Sequence, residues 1–589
     1  MTRWRTGNKR TIGLFIIFVV AAVWFGSPSL AQASSLRTTV TAALTDLFQG
    51  AVEVGDTQLR GLSRVIVQDV KVFDPRDETK LMLSADTVSF NFSLLGLILN
   101  LNHVSGALTG IELDNPVLNI EREERGWNLN RLVNLKDNQT KRPLELLLTV
   151  RNGVFVFRGF EFGQEEIPVQ LDGSLEIDAD LLALRQVRVG LFGAELTGNG
   201  IIGVDDTNVT LESNEVDFAS FVQHFPQFSD LGLEGTAKIQ ATMAGPVFDP
   251  VVEGSLRIEK GALQTPLFDN ATYRVDLLQG DFRYSKGEMY VHNLAMRKDD
   301  STIAVAGTVG LDGSLKLATT MESFDIAASI PKALDSGISG LANFKGTLTG
   351  SFKDPLLQGE VSLAQGGVFL GRPVDRVRGN ISLSTRKLTV NNLVLQQESA
   401  RYRLSGEMQF RGLTMVNFAL DLESGNPRDV LAVLGYEADF GGRVSGKLQF
   451  VGPVWNPDIY GDVKLHGGTL WGHTFDETQA TFSISRDRIV ISEGRSTYLD
   501  GVITFRGGGV RGEPLRLDVQ ASRWQWGTID SLLTEGSDQQ IPSEGEVVNL
   551  TGRAYLSGTL ARPEATIEAV VSDTTAKEYH LNLEIGSRN

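Results

Sequence analysis

The sequence predicts a mostly β chain, an antiparallel sheet built from repeats of about a hundred residues with few short helices between them. Three observations carry that expectation. Apolar and polar residues alternate over long stretches, a Gly-x4-Pro-x3-Gly segment recurs at nearly constant spacing, and 62 glycines accompany plentiful β-branched and aromatic residues. Alternation with period two places apolar groups on one face of a strand. Glycine at this frequency, in a chain with 41% hydrophobic residues, marks many turns rather than disorder.

The elements follow in order. Residues 1–33 carry a basic flank (Arg3, Arg5, Lys9, Arg10), an apolar run from Ile12 to Phe25 containing Leu14, Phe15, Phe18 and Trp24, and then Ser27-Pro28 before Ala31-Gln32-Ala33. That order is an export signal. The run is short for a spanning helix, and Ala31-x-Ala33 has the form of a cleavage site, so a cleaved peptide and an uncleaved single-pass anchor are both open. In either case the positive flank stays cytoplasmic and the rest is exported. Residues 34–140 form an N-terminal region and 141–233 a β-sheet region, before repeats at 234–339, 340–440 and 441–545 and the start of a fourth at 546–589.

The repeats rest on four aligned segments: Gly245-Pro-Val-Phe-Asp-Pro250-Val-Val-Glu-Gly254, Gly350-Ser-Phe-Lys-Asp-Pro355-Leu-Leu-Gln-Gly359, Gly452-Pro-Val-Trp-Asn-Pro457-Asp-Ile-Tyr-Gly461 and Gly558-Thr-Leu-Ala-Arg-Pro563. Their first glycines step by 105, 102 and 106 residues, and the fourth copy has Ile567 in place of the last glycine. Asp-Pro and Asn-Pro initiate turns, and glycine supplies backbone angles that side chains forbid. Each segment therefore delivers the chain into a strand. After the first three, Leu256 and Ile258, Val361 and Leu363, and Val463 and Leu465 are the apolar members of an alternating run. The same pattern places Tyr402, Leu404, Met408 and Phe410 opposite Arg401, Arg403, Glu407 and Gln409. Short helices are expected near 217–221, 324–334, 426–434 and 528–533, the third opened by Asn426 as N-cap and Pro427 in the first turn.

These helices are too few to cover the apolar face of so much sheet. Such a face must be buried against a second sheet, by closure, or against something other than protein. A row of closed β-sandwiches has the right period. A continuous sheet curled into an open groove agrees with the absence of linkers, and both readings stay open on physical grounds.

The bulk chemistry excludes several classes. A net charge of −17 removes the overall electrostatic drive toward nucleic acid and toward anionic lipid surfaces, and without cysteine there is no disulfide, thiolate nucleophile or Cys-ligated zinc. The six histidines lack metal-ligand spacing; Glu123-Glu124 and Asp299-Asp300 sit among arginine and lysine in turn-like stretches; no nucleophile elbow or Walker loop is present. No catalytic residue, cofactor, metal or nucleotide is expected.

Taken together, these residues resemble the AsmA-like superfamily and, within it, the TamB-type translocation and assembly proteins. The resemblance lies in the apolar start, Leu47-Phe48-Gln-Gly50-Ala-Val-Glu-Val54-Gly55, Val65–Val72 leading to Phe73-Asp74-Pro75, Ala85-Asp86-Thr-Val88-Ser-Phe90, Ile111-Glu-Leu113-Asp-Asn-Pro116 and Gly126-Trp127-Asn128-Leu129, followed by the Gly-x4-Pro-x3-Gly repeats. It implies an elongated, twisted antiparallel sheet forming an open hydrophobic groove, anchored in the inner membrane of a diderm bacterium with a periplasmic body. Two functions come with it. One is carriage of phospholipid between membranes, with Leu256, Ile258, Val361, Leu363, Leu404, Met408, Phe410, Val463 and Leu465 as groove lining. The other is outer-membrane protein assembly or autotransporter secretion with a BamA-family barrel. The C-terminal domain typical of the type is expected to be missing, since the sequence stops at Asn589 soon after the fourth turn.

Overall fold

The computed structural model describes residues 37–585 apart from connecting segments, of which 94–107, 129–144 and 526–546 are the longest. The mostly β expectation holds: 80% of these residues lie in strands and 5% in helices, so helical cover for the sheet is scarce. The chain divides into two compact units, described separately. One comprises Met1–Thr265, Thr272–Asp299 and Ala304–Leu317; the other comprises Pro266–Ala271, Asp300–Ile303 and Ala318–Asn589.

In the first unit, Arg64–Asp74 pairs antiparallel with Asp77–Phe92, which pairs in turn with Leu108–Asp114 and, briefly, Val117–Glu123. Those last two strands are one line of chain interrupted at Asn115-Pro116. Asn115 takes a left-handed φ of 52° and proline brings no N–H, so the ladder skips two residues. Asn115 N–H donates to Arg151 O (2.9 Å) and Val154 N–H to Pro116 O (2.8 Å), which holds the line against the next strand. That strand, Glu145–Arg158, runs parallel to both segments, a departure from the antiparallel expectation. From there to Glu288–Lys298 the sheet is a meander in which successive long strands pair antiparallel.

The second unit is a longer meander, from Ser339–Ser351 through Pro355–Leu363 and Arg376–Ser384 to Glu578–Ile585. One small hairpin, Gly367–Phe369 with Arg372–Val374, leaves it and folds back on Ser339-Gly340. The ladder does not break between repeats: Met415–Gly425 pairs with Arg443–Pro453, and Leu515–Gln525 with Val547–Gly558. A row of separate sandwiches would need a break at each of those places. The strands that open the repeats begin at Glu234, Ser339, Arg443 and Val547, and each of the first three leads a run of six long strands.

Short helices follow in phase at Phe218–Val222, Ile326–Ser329 and Pro427–Val433. Phe324 and Asp325, expected to be helical, still belong to the strand Ser314–Asp325, because the sheet ladder carries them. The 528–533 candidate lies outside the described residues. Asn426 caps as its position predicts: its Oδ1 accepts from Arg428 N–H (3.0 Å) and its carbonyl accepts from Val430 N–H (3.2 Å).

A recurrent bulge shapes both units. Asn152, Gln186, Asn392, Ser424 and Arg523 all have φ between 51° and 60° and sit at register shifts. A left-handed residue turns its N–H out of the ladder and leaves a donor to satisfy. A polar side chain on the following strand takes it in every case: Asp172 (3.2 Å), Asn199 (2.8 Å), Ser405 (3.0 Å), Ser445 (3.2 Å) and Asn549 (3.1 Å). Such bulges add local twist, which a long meander needs if it is not to lie flat.

Candidate functional site

The repeated glycine–proline segment is the tip of a β-hairpin. Gly245, Gly350 and Gly452 have φ of 96°, 93° and 116°, a region that favours glycine. Gly350 stands opposite Pro355 across the ladder, and Gly558 opposite Pro563, so the proline occupies the first position of its strand, where a missing N–H costs least. Pro250 and Pro457 lie just before their strands, Val251–Gln264 and Asp458–Leu470.

The second glycine of each segment has a different task. A Cβ at Gly254 would lie 2.7 Å from Phe282 Cζ, one at Gly359 would lie 2.8 Å from Phe344 Cζ, and one at Gly461 would strike the Phe482 ring. Phe282 and Phe482 are the direct cross-strand partners of Gly254 and Gly461. At Gly461 the ring is the nearest obstacle, whereas at Gly254 and Gly359 the backbone carbonyls of Gln240 and Lys345 on the neighbouring strand come closer still, so the glycine admits both a close strand and an aromatic ring over it. Ile567, in the fourth copy, stands opposite Leu583 instead.

Register assigns the two faces of the second unit. Leu363, Val377, Leu395, Tyr402 and Leu422 face one another in successive strands, as do Leu383, Leu388, Met408 and Val416 nearer the hairpin tips. Across the repeat boundary the same face continues through Phe418, Phe450, Ile459, Ile484 and Ile489. The opposite face carries cross-strand ion pairs: Arg378 with Glu360, Lys387 with Glu407 (3.1 Å), Arg403 with Asp421 (4.0 Å) and Arg553 with Asp518 (3.4 Å). The hydrogen bond from Arg378 holds the Glu360 carboxyl below its ordinary range, and those from Gln409 and Lys387 do the same for Glu407. Exposed pairs of this kind fix register and solubility more than stability.

The apolar face is unevenly covered. At the end where the short helices lie, Leu363, Val377, Leu395, Leu422 and Val444 are buried. Ile326 of the Ile326–Ser329 helix, with Phe369 and Val374 of the small hairpin, packs in the same cluster as Leu363 and Leu395. The Pro427–Val433 helix is tied to this end by Tyr402, whose hydroxyl accepts from Asn426 N–H (3.3 Å), and by Gln397 Nε2 donating to Asp429 Oδ2 (3.1 Å). Burial there pushes the Tyr402 phenol up. Toward the hairpin tips Leu383, Leu388, Met408, Phe410 and Phe450 are only half-buried, with Leu357, Val416 and Ile459 the buried exceptions.

Of the nine residues expected to line a groove, Leu256, Val361, Leu404, Met408, Phe410, Val463 and Leu465 are half-buried, whereas Ile258 and Leu363 are 2% and 6% exposed. Ile258 packs beneath Phe218 of the Phe218–Val222 helix in the first unit, where Ala237, Ile258, Leu278 and Met296 share one row of the face. Sequence pattern gave no sign of the small hairpin over Leu363; the Gly366-Gly367 pair that starts it is its one local signal. Ile12, Leu14, Phe15, Phe18 and Trp24 lie outside the described residues. Among the described residues no helix is long and apolar enough to cross a membrane, and no three metal-ligating side chains converge.

Compared with known proteins, the chain matches no family model, no curated protein and no solved structure.

Proposed function

We propose that this chain is a cell-envelope protein whose apolar sheet face shelters phospholipid acyl chains between the inner and outer membranes of a diderm bacterium, held at the inner membrane by its N-terminal segment. One observation carries the reading. In the second unit an apolar face runs from repeat to repeat without a break in the ladder, is opposed by an ion-paired face, and has its helix and hairpin cover at one end, with half-buried side chains toward the other. Half-buried Leu388, Met408 and Phe450 leave apolar surface that water solvates poorly and an acyl chain fills well, at about 0.8 kcal/mol per CH₂ group sheltered. The phosphate-bearing headgroup stays in water. No side chain has to perform a covalent step, and energy and direction come from other proteins.

The test is a photo-crosslinker incorporated in living cells at Met408, with Gln409 on the opposite face as its partner position. Phospholipid captured at Met408 and absent at Gln409 is the expected result. Capture of unfolded outer-membrane barrel strands at Met408, with no lipid, would replace this reading by assistance to barrel assembly with a BamA-family partner.

A further inference from the structure

One cluster of exposed apolar side chains does not belong to the sheet face. At the hairpin-tip end of the second unit, Leu413 is 54%, Met415 38%, Val454 43% and Trp455 64% exposed. Their exposure is built in. Asn456 N–H donates to Pro453 O (3.0 Å), closing a turn whose two central residues are Val454 and Trp455 and which thrusts both outward. Val454 N–H donates to Thr414 O (3.0 Å), and Met415 stands opposite Pro453, so the neighbouring loop is bound edge to edge with this turn. A hairpin tip in water is ordinarily polar. Here two adjacent tips present leucine, methionine, valine and tryptophan together.

The charges beside them are of the rarer sign for this protein. Lys353, Arg386, Lys387, Arg486 and Arg488 are exposed at the described turns of this end, with Arg386 paired to Asp354 (3.1 Å), Lys387 paired to Glu407 (3.1 Å), and Asp458 and Glu513 as the further acids, on a chain whose net charge is −17. The equivalent turn of the first unit is closed in the same way, by Asp249 N–H on Pro246 O (3.1 Å), but stands beside exposed Asp206 and Asp249 with Lys286 as the described cation. The same turn is thus set in opposite fields.

From this juxtaposition we infer that the Leu413–Trp455 rim of the second unit docks on an anionic lipid surface. Tryptophan prefers the depth where headgroups meet acyl chains, and neighbouring lysine and arginine are drawn by the negative potential of the leaflet. Immediately behind the rim lie half-buried Met408 and Phe410 of the apolar face, so a lipid leaving the surface meets apolar side chains without crossing water. That last step rests on the function proposed above; docking of the rim does not, and the two fail separately.

The absence of native cysteine makes the test site-specific. The full chain carrying Asn456→Cys with a polarity-sensitive fluorophore is mixed with vesicles of phosphatidylethanolamine alone or with one quarter phosphatidylglycerol, and Asp249→Cys is treated alike. The label at 456 shifts to the blue with the anionic vesicles, the shift is lost at about 0.5 M salt, and the label at 249 is silent. Arg486→Gln and Arg488→Gln each weaken the half-saturating lipid concentration about fivefold, and Trp455→Ala about tenfold. Three results overturn the inference: no shift at 456 while the chain sediments with the vesicles, equal shifts with neutral and anionic vesicles, or a shift that grows with protein concentration when no vesicle is present. Lipid crosslinking at Met408 is scored independently of all of them.

Discussion

Two ends of one sheet face behave differently in the second unit. Leu395 and Leu422 are 3% exposed, while Met408, on the strand between theirs, and Phe410, just past its end, are half-buried. All four are apolar members of alternating strands, so hydrophobicity does not separate them. What separates them is reach. The short helices and the Gly367–Val374 hairpin cover one end, and the strands extend beyond that cover.

The largest test of the contrast is a charge placed at each end. Leu395→Asp buries a carboxylate among Val377, Leu393 and Tyr402 and should lower unfolding free energy by about 4 kcal/mol, read from urea denaturation. Met408→Asp can turn its carboxylate toward water and should cost about 1 kcal/mol or less. Equal costs would mean that the two ends are equally covered. Next in size is the aromatic cover of glycine. Gly461→Val should cost about 2 kcal/mol by forcing the Phe482 ring aside, and Phe482→Ala in the same chain should recover part of it in a double-mutant cycle. A smaller effect is expected at the covered end itself. Asn426→Ala removes the cap of the Pro427–Val433 helix, should cost about 1 kcal/mol, and should speed hydrogen exchange at the Arg428 amide.

The smallest effect belongs to the opposite face. The Glu360 carboxyl is held below its ordinary value of 4.5 by Arg378, so its contribution is present above that value and is lost as pH falls through the lower folded-state value. Glu360→Gln should leave the neutral-pH midpoint nearly unchanged and flatten the acid limb below about pH 4.5. A large loss at neutral pH would show that the ion-paired face stabilises the sheet more than its exposure allows.

Much of the architecture was legible because it is local. Alternation marked the strands, and the glycine–proline segment marked a turn into a strand, since both depend on backbone angles set by nearby residues. Asn426-Pro427 announced its helix for the same reason. Other features depend on partners distant in sequence. Asn115-Pro116 reads as a turn, yet the chain resumes as Val117–Glu123 because Glu145–Arg158 pairs in parallel with both segments. Asn152, Gln186, Asn392, Ser424 and Arg523 are not glycine, so their left-handed angles left no mark; the side chain that satisfies each N–H lies on another strand. For the candidate site, composition of the face was readable and its cover was not. Leu363 and Leu465 occupy equivalent places in their repeats, but only the second repeat folds a hairpin over its leucine.

The six-strand length of the repeat has a consequence in parity. In an antiparallel meander each strand reverses the chain, so an even number returns it pointing as it began. The second repeat therefore delivers its glycine–proline tip to one edge of its sheet and the Pro427–Val433 helix to the other. Insertion or loss of a whole repeat would preserve that sidedness and keep apolar rows aligned with apolar rows, whereas five or seven strands would exchange the edges. The sheet can be lengthened or shortened in units of six without redesigning either margin.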